Sequence, residues 1–381
     1  MIYFDNNATT RIAPEVLDAM MPFLGASYGN PSSGYSLGRR NLEAVANARR
    51  SVADLLGAAD PGEIIFTSGG TESDNWAIQG ALEIHPERDR IITTRVEHEA
   101  VRKLCQKLET KGYSIAWLDV DENGELDLDQ LRSELSDRTA IVSVMHANNE
   151  TGVVFPIEKI AEIVKSHSNA LFHSDGVNAV GKLPVELKNT AIDLYSISGH
   201  KFHASKGVGA LYVRKSIALP PFFTGGGQEN GRRPGTQAVH QIAGLGAAAD
   251  IAKDMSLIGQ VRLLRDRLEN EILDKIPSSR LNGTSDAAKR LPNTSNISFE
   301  NTNGETILAR LDDLGVCVST GSACNSIDRT ASPVLQAMNI PYTQAMGSIR
   351  FSLGRYNTNE EVSFVLEKLP GIVEEIRAIA S

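Results

Sequence analysis

At 381 residues the chain is long enough for a large core, and length alone anticipates two domains or one large α/β unit with an appended lobe. A formal net charge of −9 argues against a surface built to grip nucleic-acid phosphates, so no direct contact with nucleic acid is expected. The chain opens Met1-Ile2-Tyr3-Phe4-Asp5 with no basic or apolar leader, and no apolar run approaches the roughly 20 residues that cross a bilayer, so a cytoplasmic protein without membrane contact is expected.

From residue 14 to about 255, short apolar runs alternate with amphipathic segments, the signature of βαβ units around a mostly parallel sheet. Pro14 opens a helix with Val16, Leu17, Met20 and Met21 along one side, and a second helix runs over 36–56 until Gly57 stops it. Strands are predicted at 63–67, 91–94, 114–118, 140–146, 171–173, 194–197 and 209–213. Helices fall between several of them, at 100–111, 126–135 and 157–167. One long helical stretch, 240–275, then leads out of the large domain. Beyond it the pattern predicts strands at 296–299, 316–318 and 348–352 and helices at 305–311, 333–338 and 360–380. The domains expected are therefore 14–255, and a smaller α+β unit made of 1–13 with 256–381.

Ligands of such sheets collect beyond the carboxyl ends of the strands, and the chemically distinctive residues fall there. Asp175 follows a strand in Phe172-His173-Ser174-Asp175-Gly176, and Lys201 follows another in Ser198-Gly199-His200-Lys201. A lysine to form a Schiff base and a carboxylate to keep a pyridine nitrogen protonated are the two groups a pyridoxal phosphate enzyme requires. Taken singly, Asp175 reads first as a helix cap and Lys201 as a solvated loop lysine; it is their joint placement in chain order, each at a strand's carboxyl end, that points to the cofactor. Ser68-Gly69-Gly70-Thr71, at a strand-to-helix turn, offers backbone N–H groups and the Thr71 hydroxyl to an anion, and Ser198 and His200 supply further phosphate donors. His98, at a helix start, is placed to stack on the pyridine and shuttle protons with a ring that titrates near neutrality.

The three cysteines are too few for a disulfide scaffold and lack metal-ligand spacing, so no metal is expected. Cys105 and Cys317 sit in apolar patterns and read as core residues. Cys324 lies among small and polar residues, in a stretch that reads as an exposed loop where a thiol is free to react. Arg350, on a strand of the small unit, is either a clamp for a substrate carboxylate or a structural ion pair. Gly225-Gly226-Gly227-Gln228 matches no nucleotide-binding pattern and reads as a turn between lobes or at a subunit contact.

In order along nearly the whole chain, Asp5-Asn6-Asn7-Ala8-Thr9-Thr10, Gly29-Asn30-Pro31-Ser32-Ser33, Thr67 to Ser73, Asn148-Asn149-Glu150-Thr151-Gly152, Ser198-Gly199-His200-Lys201, Gly225 to Glu229, Gly321-Ser322-Ala323-Cys324 and Ser348 to Gly354 resemble the cysteine desulfurases of the NifS and IscS type. The resemblance implies a fold-type-I, pyridoxal 5′-phosphate-dependent homodimer related to class-V aminotransferases. It makes Lys201 the Schiff-base lysine, Asp175 the pyridine partner and His98 the stacking, proton-transferring histidine. Gly70, Thr71, Ser198 and His200 match the phosphate site, with Thr236 reaching the phosphate in the partner subunit. Asn149 matches the asparagine beside cofactor and substrate, Arg350 the carboxylate clamp, and Cys324 the nucleophile that takes sulfur from L-cysteine as a persulfide, leaving L-alanine.

Three positions depart from the family pattern. Asn178 stands where a glutamine usually bonds the cofactor's phenolic oxygen, and Ala204-Ser205 replaces the usual Gly-Pro after the lysine segment. Pro234 replaces a serine before Gly235-Thr236, a variant associated with desulfurases serving DNA phosphorothioation. The acceptor protein implied is thus an iron–sulfur scaffold, a tRNA-thiolation relay or a DNA-modification partner. Lys201 and Asp175 would serve a selenocysteine lyase or an aminotransferase equally, and Asn178 leaves room for an inactive docking subunit of a sulfur-transfer complex.

Overall fold

The computed structural model describes residues 1–320 and 331–380. Among them, seven strands form one sheet in the spatial order Ile64–Thr67, Gly209–Val213, Leu194–Ser198, Leu171–Asp175, Thr139–Ser143, Arg90–Thr94 and Ser114–Leu118. All neighbours run parallel except Gly209–Val213, which is antiparallel to both of its flanks. The central strands are buried along their whole length, which explains why they read as continuous apolar runs rather than as alternation.

Successive residues of these strands feed two different hydrophobic clusters. Phe66, Ile92, Val142, Phe172 and Ile197 face helices Pro14–Leu24, Ser36–Leu55, Ile157–His167 and Val239–Ala252. Ile65, Ile91, Ile141, Leu171 and Leu194 face Gly70–Ile84 and Glu99–Glu109. A sheet covered on both faces leaves its strand ends as the open places, and the polar residues gather there.

A third cluster lies under an antiparallel sheet ordered Ser319–Thr320, Ser348–Ser352, Thr294–Phe299 and Ser279–Leu281, backed by helices Ser256–Lys275, Gly304–Asp312 and Asn359–Ala380. The N-terminus joins it: Ile2–Tyr3 pairs in parallel with Val316–Cys317, and Phe4 is fully buried in the cluster. None of the helices searched is long and apolar enough to cross a membrane.

The stretch expected as one helix over 240–275 is two. Asp254 Oδ1 accepts the Ser256 backbone N–H at 2.9 Å, an Asx turn between helices Val239–Ala252 and Ser256–Lys275. Of the strand expected at 316–318 only Val316–Cys317 forms, and after Val318 the chain enters another sheet at Ser319–Thr320; Cys317 is only partly buried because its strand belongs to a two-stranded edge. Strand Ser279–Leu281 and helix Tyr342–Met346 are too short to leave a periodic signal. Residues 331–345 contribute Ala331, Leu335 and Met338 to the cluster of the large sheet, although the described strands before and after them, Ser319–Thr320 and Ser348–Ser352, belong to the smaller sheet.

Candidate active site

Strands Leu171–Asp175 and Leu194–Ser198 are parallel neighbours with Asp175 opposite Ser196, so both chains leave the sheet on the same edge. Asp175 is the last residue of its strand. Gly176 follows because a Cβ there would stand 2.0 Å from the Tyr195 ring, and no other residue lets the chain turn away so closely. Ser198 leads into a tight turn over Gly199–Lys201, which swings the Lys201 side chain back across the strand ends. The amine donates to the carbonyl of Asn7 and, at 3.0 Å, to that of Ala8. The N-terminal segment thereby forms one wall.

Lys201 and Asp175 share a cleft of about 240 Å³. Burial lowers the Lys201 pKa to about 8, and the Arg350 cation adds to the effect while Asp175 and Asp5 oppose it. Asp175 is 4 % exposed, and burial raises its pKa against the pull of His98, of a 2.9 Å hydrogen bond from the Val177 N–H, and of Lys201. The carboxylate is therefore short of positive charge where it faces the cleft.

His98 also lines this cleft. It caps helix Glu99–Glu109, with Nδ1 accepting the Ala100 N–H at 3.2 Å. That bond assigns the ring proton to Nε2. His98 is exposed along the cleft, yet desolvation by the surrounding protein lowers its pKa, with Asp175 opposing, so the neutral ring is favoured.

At the other end of the cleft, Gly70 and Thr71 open helix Gly70–Ile84 and present its positive end. Ser198 and His200 complete that end. His200 Nδ1 meets Thr9 Oγ1 at 3.1 Å, and burial followed by Lys201 lowers its pKa to about 4, so it stays neutral at neutral pH. Asn149 and Asn178 also line the cleft, which brings together nine of the twelve residues singled out in the sequence.

The other three lie elsewhere. Arg350 sits behind Asn149: its Nη1 donates to the Asn149 carbonyl at 3.0 Å, its Nη2 pairs with Asp5 Oδ1 at 2.6 Å, and its buried Nε has no partner. Thr236 is exposed on a neighbouring cleft with Ser68 and Gln241. Its segment is tied to the anion-facing helix by Arg233, which pairs with Glu72 at 2.9 Å. Cys324 lies outside the described residues.

Sequence reasoning missed Asp74, Glu97 and Lys182. Asp74 is 1 % exposed, lines the cleft one helical turn after Gly70, and lies 3.6 Å from His173 Nε2. Burial, then Asp175, holds its carboxyl well above the usual range. Burial raises Glu97, which accepts from Thr94 Oγ1 and the Met145 N–H at 2.9 Å each, to about 8. The four-residue spacing from Gly70 was the available signal for Asp74. The segment Gly225 to Glu229 is a brace: Glu229 binds Arg49 through both oxygens at 2.7 and 2.8 Å and accepts the Phe66 N–H at 3.1 Å, on the strand that feeds Gly70.

A parallel-sheet edge holding a lysine of lowered pKa, a buried carboxylate and a helix N-terminus defines a class, that of enzymes working through a phosphorylated carbonyl cofactor. The chain belongs to the class-V aminotransferase family, which matches residues 2–365, and enzymes of this family depend on pyridoxal 5′-phosphate. It is 52 % identical to a cysteine desulfurase of Trichormus azollae, across 100 % of this chain and 94 % of that one. A solved NifS-like protein superposes with a TM-score of 0.92 at 38 % identity, covering 98 % of this chain and 99 % of its own. SspA, solved in complex with cysteine, superposes with a TM-score of 0.83 at 34 % identity, over 94 % of this chain and 100 % of its own.

Proposed function

We propose that this chain is a cysteine desulfurase, which takes sulfur from free L-cysteine, releases L-alanine and keeps the sulfur as a persulfide on Cys324 for an acceptor protein. The observation that carries this reading is the meeting of Lys201, with its lowered pKa, and the under-compensated carboxylate of Asp175 in one cleft. In this reading residues 14–255 form the cofactor-binding lobe, residues 1–13 with 256–381 form the lobe that carries Cys324, and two chains make the working dimer.

The residues present fit pyridoxal 5′-phosphate. Capturing an aldehyde needs a neutral amine, and a pKa of about 8 makes that form accessible near neutral pH. A ring nitrogen that must stay protonated is matched by Asp175, whose burial lacks full compensation until a cation arrives. A phosphate is matched by the N-terminus of Gly70–Ile84 with Thr71, Ser198 and His200.

Bound there, the cofactor supplies an electron sink for negative charge at the substrate α-carbon. Asp175 holds the proton at the ring nitrogen. Lys201, as a free amine, would be the base that removes the α-proton. His98 has Nδ1 committed to its cap, so Nε2 is the atom that moves a proton over the substrate. Arg350 would bind the substrate carboxylate, while Asp5 and the Asn149 carbonyl keep the guanidinium oriented. The Cys324 thiolate attacks the substrate sulfur: an S–S bond forms, the C–S bond breaks, and its electron pair stays with the carbon, which takes up a proton. One cysteine and one thiol become one alanine and one persulfide.

The test is to supply L-cysteine and follow alanine and protein persulfide. Cys324→Ser is expected to abolish both while the visible cofactor absorbance remains. Alanine formed by that variant at the wild-type rate, or a keto acid as the main product, would sink the reading.

A further inference from the structure

Asn178 stands at the cleft, yet its side chain is one methylene shorter than a glutamine, and a short amide that cannot reach far depends on being aimed correctly. It is 4 % exposed. Behind it lies Lys182, 8 % exposed, whose amine donates to the Asn178 carbonyl at 3.0 Å and to Asn178 Oδ1 at 2.8 Å. On its other side Asn178 Nδ2 makes only a long 3.4 Å contact to the Asn148 carbonyl. A backbone carbonyl oxygen can only accept, so the Asn148 neighbour sets the orientation of the amide whatever the charge on Lys182: NH2 toward Asn148, oxygen accepting from the Lys182 amine, which leaves the NH2 as the part of the amide available to the cleft that Asn178 lines. Among the described residues no carboxylate pairs with Lys182, so the clamp is made by Asn178 alone.

We propose that Lys182 is a positioning residue that fixes the polarity of the Asn178 amide, so that a hydrogen-bond donor rather than an acceptor faces the phenolic oxygen of a bound pyridoxal phosphate. This rests on the cofactor reading above. Burying a lysine without a carboxylate is costly, and burial, Lys201 and Arg350 all push the Lys182 pKa well down. Lys182 acts through Asn178 and does not touch the cofactor. With the donor in place, negative charge on the phenolic oxygen is stabilised. Without the clamp the amide is free to turn its oxygen inward, and charge on the ring oxygen is disfavoured.

The experiment follows the visible spectrum of the cofactor-loaded protein against pH. Lys182→Met and Asn178→Ala are each expected to raise the pH midpoint of the spectral change and to weaken cofactor binding by about three- to tenfold, the loss of roughly one hydrogen bond. In the double variant, Lys182→Met is expected to add no further shift to Asn178→Ala. An unchanged midpoint in Lys182→Met, or two shifts that add, would overturn the proposal. Should Lys182→Met fail to fold, Lys182→Gln, which still offers Asn178 a donor, is expected to keep the wild-type midpoint, and a moved midpoint there would overturn it as well. A wild-type protein that takes up no cofactor and shows no visible band would instead remove the cofactor reading itself.

Discussion

A lysine amine inside a cleft titrates according to its neighbours. Burial is the largest influence on Lys201 and the Arg350 cation the next, both favouring the neutral amine, while Asp175 and Asp5 favour the ammonium. The sign of a test follows. With Arg350 replaced by methionine, one repulsion is gone, the ammonium persists to higher pH, and the pKa rises above about 8. The rate at which cofactor-free protein captures pyridoxal phosphate, measured against pH, is expected to keep its shape but move its midpoint upward. A midpoint that stays or falls would mean that Arg350 does not act on the amine. This coupling is invisible in sequence, because Lys201 lies in a turn after a strand of the large sheet, Arg350 lies on a strand of the smaller sheet, and no spacing rule links them. Lys201, Asp175 and His98 stood out in the sequence as candidates, since each follows a strand pattern ending in small or polar residues, and the structure places the three on one cleft.

At the scale of elements, the anion-facing turn is held by crowding. Gly209 starts the antiparallel strand Gly209–Val213, and a Cβ there would stand 2.4 Å from the Ile197 carbonyl oxygen and 2.8 Å from Gly69 Cα. Backbone stands on both sides, so no rotamer change can relieve the contact. Gly209→Ala is expected to displace the Gly69–Gly70 turn or the end of Leu194–Ser198, costing about 1–3 kcal/mol of stability by the usual scale of overpacking. Thermal unfolding with and without cofactor checks this. The midpoint should drop in both states, and more with cofactor present, because both shifted segments belong to the cleft. Strands and helices of ordinary length were foreseen to within a few residues, because burial on two faces or on one stripe imposes a period. The break at Asp254 was not foreseen, because Asx turns depend on one side-chain contact that leaves the surrounding helical pattern intact.

At the scale of the molecule, Thr236 is the candidate residue whose expected role calls for a second chain. It is exposed on a cleft next to the one that holds Lys201, while Arg233 anchors its segment to the anion-facing helix through Glu72. If two chains complete each other's phosphate sites, a mixture of Lys201→Ala and Thr236→Ala proteins re-equilibrated as dimers contains one intact site in each mixed pair. Cofactor affinity and alanine formation are then expected to reappear in the mixture, above the level of either variant alone, and light scattering should give twice the chain mass. A mixture no better than the average of its parents would confine each site to one chain.

The sequence by itself determined the sheet class, the order of most of its elements and which residues stand as candidates for the chemistry, because periodicity and residue type are local properties that survive any arrangement in space. Only the tertiary structure decided which charges are uncompensated, which histidine nitrogen is free, and that Lys182 stands behind Asn178. Those depend on burial and on distances between segments far apart in the chain, and a pKa or an amide orientation is set by what surrounds a group rather than by what precedes it.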